Sequence, residues 1–160
     1  MELTGQDSIF MQAAIDLAAK HMRAKDGGPF GAVITRDGEI IARGWNKVTT
    51  SNDPTAHAEM TAIRGAAAAL GTFQLRGCVL YTSCEPCPMC LGATYWARLD
   101  RLVFAANRQD AAQAGFDDQH IYNELSKPVF TRDLPTQNIL REQALEIFTE
   151  WRNMPDKVPY

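Results

Sequence analysis

Hydrophobic and polar positions alternate along this chain with two different periods. Ile9, Phe10, Ala13, Ala14, Leu17 and Met22 recur at near-helical spacing, with Gln12, Asp16, Lys20 and Arg23 between them. That pattern predicts an amphipathic helix over 7–23 whose apolar stripe covers a sheet. Gly27, Gly28 and Pro29 end it, and two apolar runs at 31–35 and 39–45 then flank Asp37-Gly38. Asp-Gly between such runs predicts a hairpin. Residues 46–56 are polar and predict a loop, ending in Asn52-Asp53-Pro54-Thr55 before an Ala-rich helix from His57 to Leu70 that stops at Gly71. A strand follows over 78–83. A second helix opens at Pro86 to Pro88, where proline is tolerated because first-turn amides have no helical partner, and runs to Arg98. In that helix one of Tyr95 and Trp96 is expected to pack in the core. Residues 101–105 give a fourth strand. Alternation of strand and helix from residue 31 predicts an α/β layered fold around a mixed sheet.

The pattern weakens after Asn107. An Ala-rich stretch reaches Gly115-Phe-Asp-Asp118, a short helix covers 118–125, and Pro128 and Pro135 bound a loop. A last helix over about 138–152 gathers Leu140, Ala144, Ile147, Phe148 and Trp151 on one face, by which it should dock. Pro155 and Pro159 keep the remaining tail extended.

A chain of 160 residues has the size of one domain. With 46% apolar and 22% charged residues it reads as compact and globular. A net charge of −3 weighs against a polyanionic partner, because nucleic-acid binding is driven by cationic surface displacing counterions. The first twelve residues lack the positive charge and apolar run of an export signal, and no stretch nears the roughly 18 apolar residues of a membrane span. The expectation is a cytoplasmic protein that meets neither membrane nor nucleic acid.

Four cysteines, Cys78, Cys84, Cys87 and Cys90, crowd into one short stretch, a distribution that favours metal binding over disulfides. His57-Ala-Glu59, followed after a helix and a strand by Pro86-Cys87-Pro88-Met89-Cys90, reproduces the known H-x-E…P-C-x-x-C signature of zinc-dependent deaminases. The spacing has a physical basis. Cysteines three apart in a first helical turn share a face, and the positive end of the helix dipole favours them as thiolates. With His57 they make a Cys2His set that leaves one coordination position for water, the mark of a catalytic zinc. Such a metal brings the water's pKa toward about 7, and Glu59 is placed to move its proton to the ring nitrogen and the leaving amine. The rival arrangement adds Cys84 to give a closed Cys3His site, a structural zinc in a binding module. Pro86 between Cys84 and Cys87 argues against it, and Cys78 is expected in the core.

The runs Gly27 to Ile34, Asn46 to Glu59 and Leu80 to Ala93, together with Tyr95-Trp-Ala-Arg98, Ala111 to Tyr122 and Trp151-Arg-Asn153, resemble bacterial guanine deaminases of the cytidine-deaminase superfamily. The resemblance implies a three-layer α/β/α fold with a mixed central sheet, formed as a single domain over 1–160. It implies one zinc ion per chain on His57, Cys87 and Cys90, with water as fourth ligand and Glu59 as the catalytic acid and base. It further implies that Phe30 stacks on the purine, that Asn46 and the Ala58 backbone hydrogen-bond it, and that Asp118 reads its N–H groups. In the same family the C-terminal helix and tail, about 138–160, are exchanged across a homodimer, which brings Tyr160 to the pocket. The substrate it implies is guanine, hydrolysed to xanthine and ammonia, with guanosine, cytosine and tRNA adenosine as alternatives within the superfamily.

Overall fold

A computed structural model describes residues 4–116 and 118–160. Asp117, inside the Gly115 to Asp118 run, and the first three residues of the amino-terminal stretch lie outside the described residues. The chain divides into two compact units, residues 1–119 and 120–160.

The first unit is built on a four-stranded sheet in the order β2-β1-β3-β4. Strands β1 (Gly31–Arg36) and β2 (Glu39–Trp45) form the predicted hairpin, and Asp37 and Gly38 both take positive φ at its turn. β1 also pairs antiparallel with β3 (Cys78–Cys84), which pairs parallel with β4 (Arg101–Ala106). The sheet is therefore mixed, as expected.

Alternation along β1 decides which helix each face receives. Val33 packs with Phe10, Ala14 and Tyr81 under α1 (Gly5–Arg23), while Ala32 and Ile34 join Ala58, Ala62 and Ala66 of α3 (Ala58–Leu70) in the opposite core. Helices on both faces give the three-layer architecture. The small side chains of α3 let it lie close to the sheet. At Gly44 on β2 an added Cβ would stand 2.2 Å from the Ala58 carbonyl oxygen, so glycine sets the distance at which the start of α3 approaches the strand.

Helix α1 is anchored by charge as well as by apolar area. Asp7 completes a capping box with Thr4, accepts the Tyr81 hydroxyl at 2.6 Å, and receives Arg101 on both oxygens at 2.9 and 3.1 Å. Arg101 holds its carboxyl far below the ordinary aspartate range, helped by the Thr4 amide and the Tyr81 hydroxyl.

Several local expectations need correction. The loop over 46–56 contains a one-turn helix, α2 (Val48–Ser51), and the Ala-rich stretch after Asn107 is helical as α5 (Arg108–Gln113), started by an Asn107 capping box with Asp110. Helix α4 is shorter than predicted (Pro88–Trp96), and neither Tyr95, 72% exposed, nor Trp96, 62% exposed, packs in the core. Thr94 and the C-cap Ala97 take the buried positions at the end of this helix, which leaves Tyr95 and Trp96 facing outward.

Helix α6 (Asp118–Ser126) crosses from the first unit into the second, which continues with a 3-10 turn (Val129–Thr131) and α7 (Arg141–Asn153). Lys127 bridges Glu124 and Asp133 within this unit. The rest of its own unit leaves the stripe on α7 uncovered: Ile147 and Phe148 are each 65% exposed, and no described residue of the helix is buried. The periodicity correctly marks an apolar face, but periodicity does not say which chain covers it.

Candidate active site

His57 and Cys87 hold equivalent places in two helices. Each is an N-cap residue in extended conformation, His57 before α3 and Cys87 before α4, and neither uses its side chain to cap. Their side chains are therefore free to project past the helix ends, where unpaired first-turn amides and the dipole create positive potential. Pro88 begins α4 without loss, since its missing N–H would have had no helical partner. Two residues into α3 stands Glu59, and in the first turn of α4 stands Cys90.

These side chains meet. His57 Nδ1 lies 3.7 Å from Cys87 Sγ, and Cys90 Sγ donates to Glu59 Oε2 at 3.6 Å. The donor atoms of His57, Cys87 and Cys90 all lie within 4.8 Å of one another. Ligand bonds of about 2.0–2.3 Å at tetrahedral angles put donor atoms roughly 3.3–3.8 Å apart, so this set fits a zinc ion in both spacing and donor chemistry. A second group among the described residues, His120, Glu124 and Asp133, is equally compact, but the Lys127 ammonium already sits on both of its carboxylates.

The protonation states suit a thiolate site. The Cys87 thiol is drawn well below the ordinary range by its hydrogen bond with Cys90 and by His57, and Cys90 is pushed up in return, so the pair shares one proton. His57 is raised, chiefly by Cys87. Burial raises the Glu59 carboxyl, which is only 6% exposed, above the ordinary glutamate range. Cys84, the last residue of β3, stands outside this group: its thiol donates to the Asn107 carbonyl at 3.7 Å, and burial pushes it up to about 11. Cys78 is fully buried in the core, as expected.

A cavity of about 240 Å³ opens above the cluster. Phe30, Asn46, His57, Glu59, Cys87 and Asp118 all line it, which brings together most of the residues singled out from the sequence. Phe30 meets Phe116 edge to face, with ring centroids 4.7 Å apart. The Asn46 carboxamide is oriented by its neighbours: Oδ1 accepts from the Val48 amide at 3.2 Å and, at 3.4 Å, from that of Gly28. The flipped amide would set two N–H groups against two others, so the NH2 group is the one left to donate into the cavity. The Ala58 side chain is buried in the core, not among the lining residues, while its amide occupies the first turn of α3. Tyr160, at the end of the second unit, is 72% exposed.

Several lining residues escaped the sequence reading, Phe116, Thr49 and Glu85 among them. Phe116 follows a helix C-terminus, where an aromatic carries no periodic signal. Thr49 lies in a stretch read only as loop. Glu85 accepts the Arg108 amide at 3.0 Å, and its own amide donates to Ala106, which ties the segment before Cys87 to the end of β4. Its place inside the Cys84 to Cys87 motif was the available clue.

Comparison with known proteins adds the family. Residues 4–106 match the family profile of the cytidine and deoxycytidylate deaminase zinc-binding region. The chain is 56% identical over 151 residues to the guanine deaminase of Bacillus subtilis (strain 168), covering 94% of this chain and 97% of that one. It is 46% identical over 101 residues to a tRNA-specific adenosine deaminase of the same organism, covering 63% of this chain and 62% of that protein. The X-ray structure of the Bacillus subtilis guanine deaminase superimposes with a TM-score of 0.93 at 53% identity, covering 99% of both chains. A family profile that matches most of the chain and a likeness that runs nearly its whole length show that the chain belongs to the cytidine and deoxycytidylate deaminase zinc-binding family.

Proposed function

We propose that this chain hydrolyses guanine to xanthine and ammonia. One observation carries the reading: the chain is 56% identical to a guanine deaminase over 94% of its length, whereas to tRNA-specific adenosine deaminases it is 46% identical over 63% or 37% identical over 83%. The net charge of −3 agrees with a small substrate in preference to a nucleic acid.

His57, Cys87 and Cys90 would hold one zinc ion per chain, with the fourth position open to water. When bound, zinc supplies Lewis acidity that brings a water molecule's pKa from 15.7 toward about 7. Glu59 receives the proton that the attacking water gives up and passes it to the ring nitrogen beside the attacked carbon. It then helps the amino group to leave as ammonia, with no net consumption of acid or base. A buried carboxyl whose affinity for protons is raised suits this shuttle, because it takes up the water's proton more readily than an exposed glutamate would.

The walls supply recognition. Phe30 offers a face to the purine ring. Asn46 donates to a ring acceptor through the NH2 group that its neighbours leave exposed, and Asp118 accepts from the N–H groups of guanine. The Ala58 amide, at the first turn of α3, adds a further donor. A site built on such hydrogen bonds rejects a base that leaves them unpaired.

The protein acts as a homodimer in which the helix and tail over 138–160 are exchanged, so that Tyr160 of each chain completes the partner's pocket. The apolar face of α7, which its own unit leaves uncovered, supports this reading. No described helix is long and apolar enough to cross a membrane, and we place the enzyme in the cytoplasm in the pathway of purine breakdown. The test is to incubate zinc-loaded protein with guanine, guanosine, cytosine and adenosine, following ammonia release and the ultraviolet spectrum. Guanine should be consumed fastest, and faster release from any of the others would displace it as the substrate.

A further inference from the structure

Asn46 is held from two directions, and both holds lead back to His21. The first runs through the preceding residue. The His21 ring stacks on Trp45 with centroids 3.8 Å apart and planes only 10° from parallel. The Lys47 ammonium lies 4.0 Å from the centroid of the same indole. Trp45 is therefore held by contacts from both α1 and the residue two places on. Asn46 is thus the middle residue of a segment whose two neighbours are locked together over one ring.

The second hold runs through the loop after α1. The helix ends in a reciprocal pair of backbone bonds, Lys25 N–H to the Met22 carbonyl and Asp26 N–H to the His21 carbonyl, with Lys25 at φ +58. His21 Nδ1 then reaches the Asp26 carboxylate at 2.8 Å and ties the ring to the residue just before Gly27. Gly27 sits so close to the Asn46 backbone that an added Cβ would stand 1.6 Å from its carbonyl oxygen, and the next amide, Gly28, binds the Asn46 side-chain oxygen. One side chain therefore sets both the ring beside Asn46 and the loop that orients its carboxamide. His21 is not among the residues lining the cavity.

We propose that His21 is a positioning residue for Asn46: by stacking on Trp45 and bonding Asp26 it fixes the carboxamide that meets the purine. The proposal rests on the reading of Asn46 as a contact to the base. Loss of the clamp loosens a group that binds substrate and transition state alike, so the effect falls on KM more than on kcat.

The test is a double-mutant cycle on the zinc-loaded enzyme with guanine. Asn46→Ala should lower kcat/KM by about tenfold or more, and an unchanged value would overturn both the Asn46 reading and the proposal built on it. His21→Ala should raise KM by about tenfold, with kcat within about twofold and zinc content unchanged. In the Asn46→Ala background the same His21 change should add less than about twofold, because the group it positions is already gone. His21→Phe restores the stacked ring and should return KM to within about threefold of wild type. Should His21→Ala fold poorly, His21→Gln removes the ring while keeping a polar partner for Asp26 and completes the same cycle. Fully multiplicative losses in the double variant, or a KM unmoved by loss of the ring, would overturn the proposal while leaving Asn46 in its place.

Discussion

His57 Nδ1 and Cys87 Sγ face each other at 3.7 Å, each from the N-cap of its own helix. The site is therefore made where two helix ends converge, and every proposed ligand belongs to a first turn or to the residue before it. Cys84 belongs to a strand end and bonds a carbonyl instead. Cys84→Ser should accordingly retain about one zinc per chain and most activity, while Cys87→Ser loses the metal. Metal analysis of the two purified variants decides the matter, and equal loss from both would point to the closed four-ligand site.

Glu59→Gln keeps the shape of the side chain but cannot carry protons. Zinc content and guanine binding should persist while kcat falls by about 10²-fold or more. Single-turnover measurement with guanine checks this, and turnover within about tenfold of wild type would assign the proton transfer to another group.

Asp118 lines the cavity and is the proposed acceptor for guanine N–H groups. Asp118→Ala should lower kcat/KM for guanine by about 10²-fold, the scale of a buried donor left without its partner. An unchanged guanine kcat/KM would remove Asp118 from recognition.

Asp7 should make the fold acid-sensitive. Its folded pKa lies below the ordinary 3.8, chiefly through Arg101, so its contribution is fully present above that value and is lost as pH falls toward the folded pKa. Tyr81 is the reverse case: burial, then Asp7, pushes it from 10.0 up to about 12, so its contribution holds below 10.0 and is lost as pH rises through about 12. Urea midpoints for wild type and Asp7→Asn should differ most near neutrality and converge below about pH 4. A gap that stays constant down to pH 2 would show that the carboxylate's charge is not what anchors α1.

The exposed face of α7 predicts association. Gel filtration should give a dimer, and a chain ending at Asn153, which lacks Tyr160, should keep its zinc yet lose most of its kcat/KM for guanine. Full activity in that shortened chain would reduce the tail to a surface extension.

The elements nearest the chemistry were legible in the chain itself because their signals are local. Asp37-Gly38 can only turn, Gly71 stops α3 in a left-handed cap, and Pro88 opens α4, so hairpin and helices follow from neighbouring residues. The H-x-E and P-C-x-x-C spacings place Glu59 and Cys90 relative to His57 and Cys87 by helical geometry alone. What the chain could not announce is set by distance in sequence. That Cys84 turns to Asn107 depends on how β3 and β4 end side by side, and that Phe116 meets Phe30 depends on where a loop returns. The outward turn of Tyr95 and Trp96 and the uncovered stripe on α7 share that origin: periodicity marks an apolar face, but only packing among distant segments decides whether anything covers it. Likewise His21, which belongs to no sequence motif, gains its place beside Asn46 only because the sheet carries Trp45 back against α1.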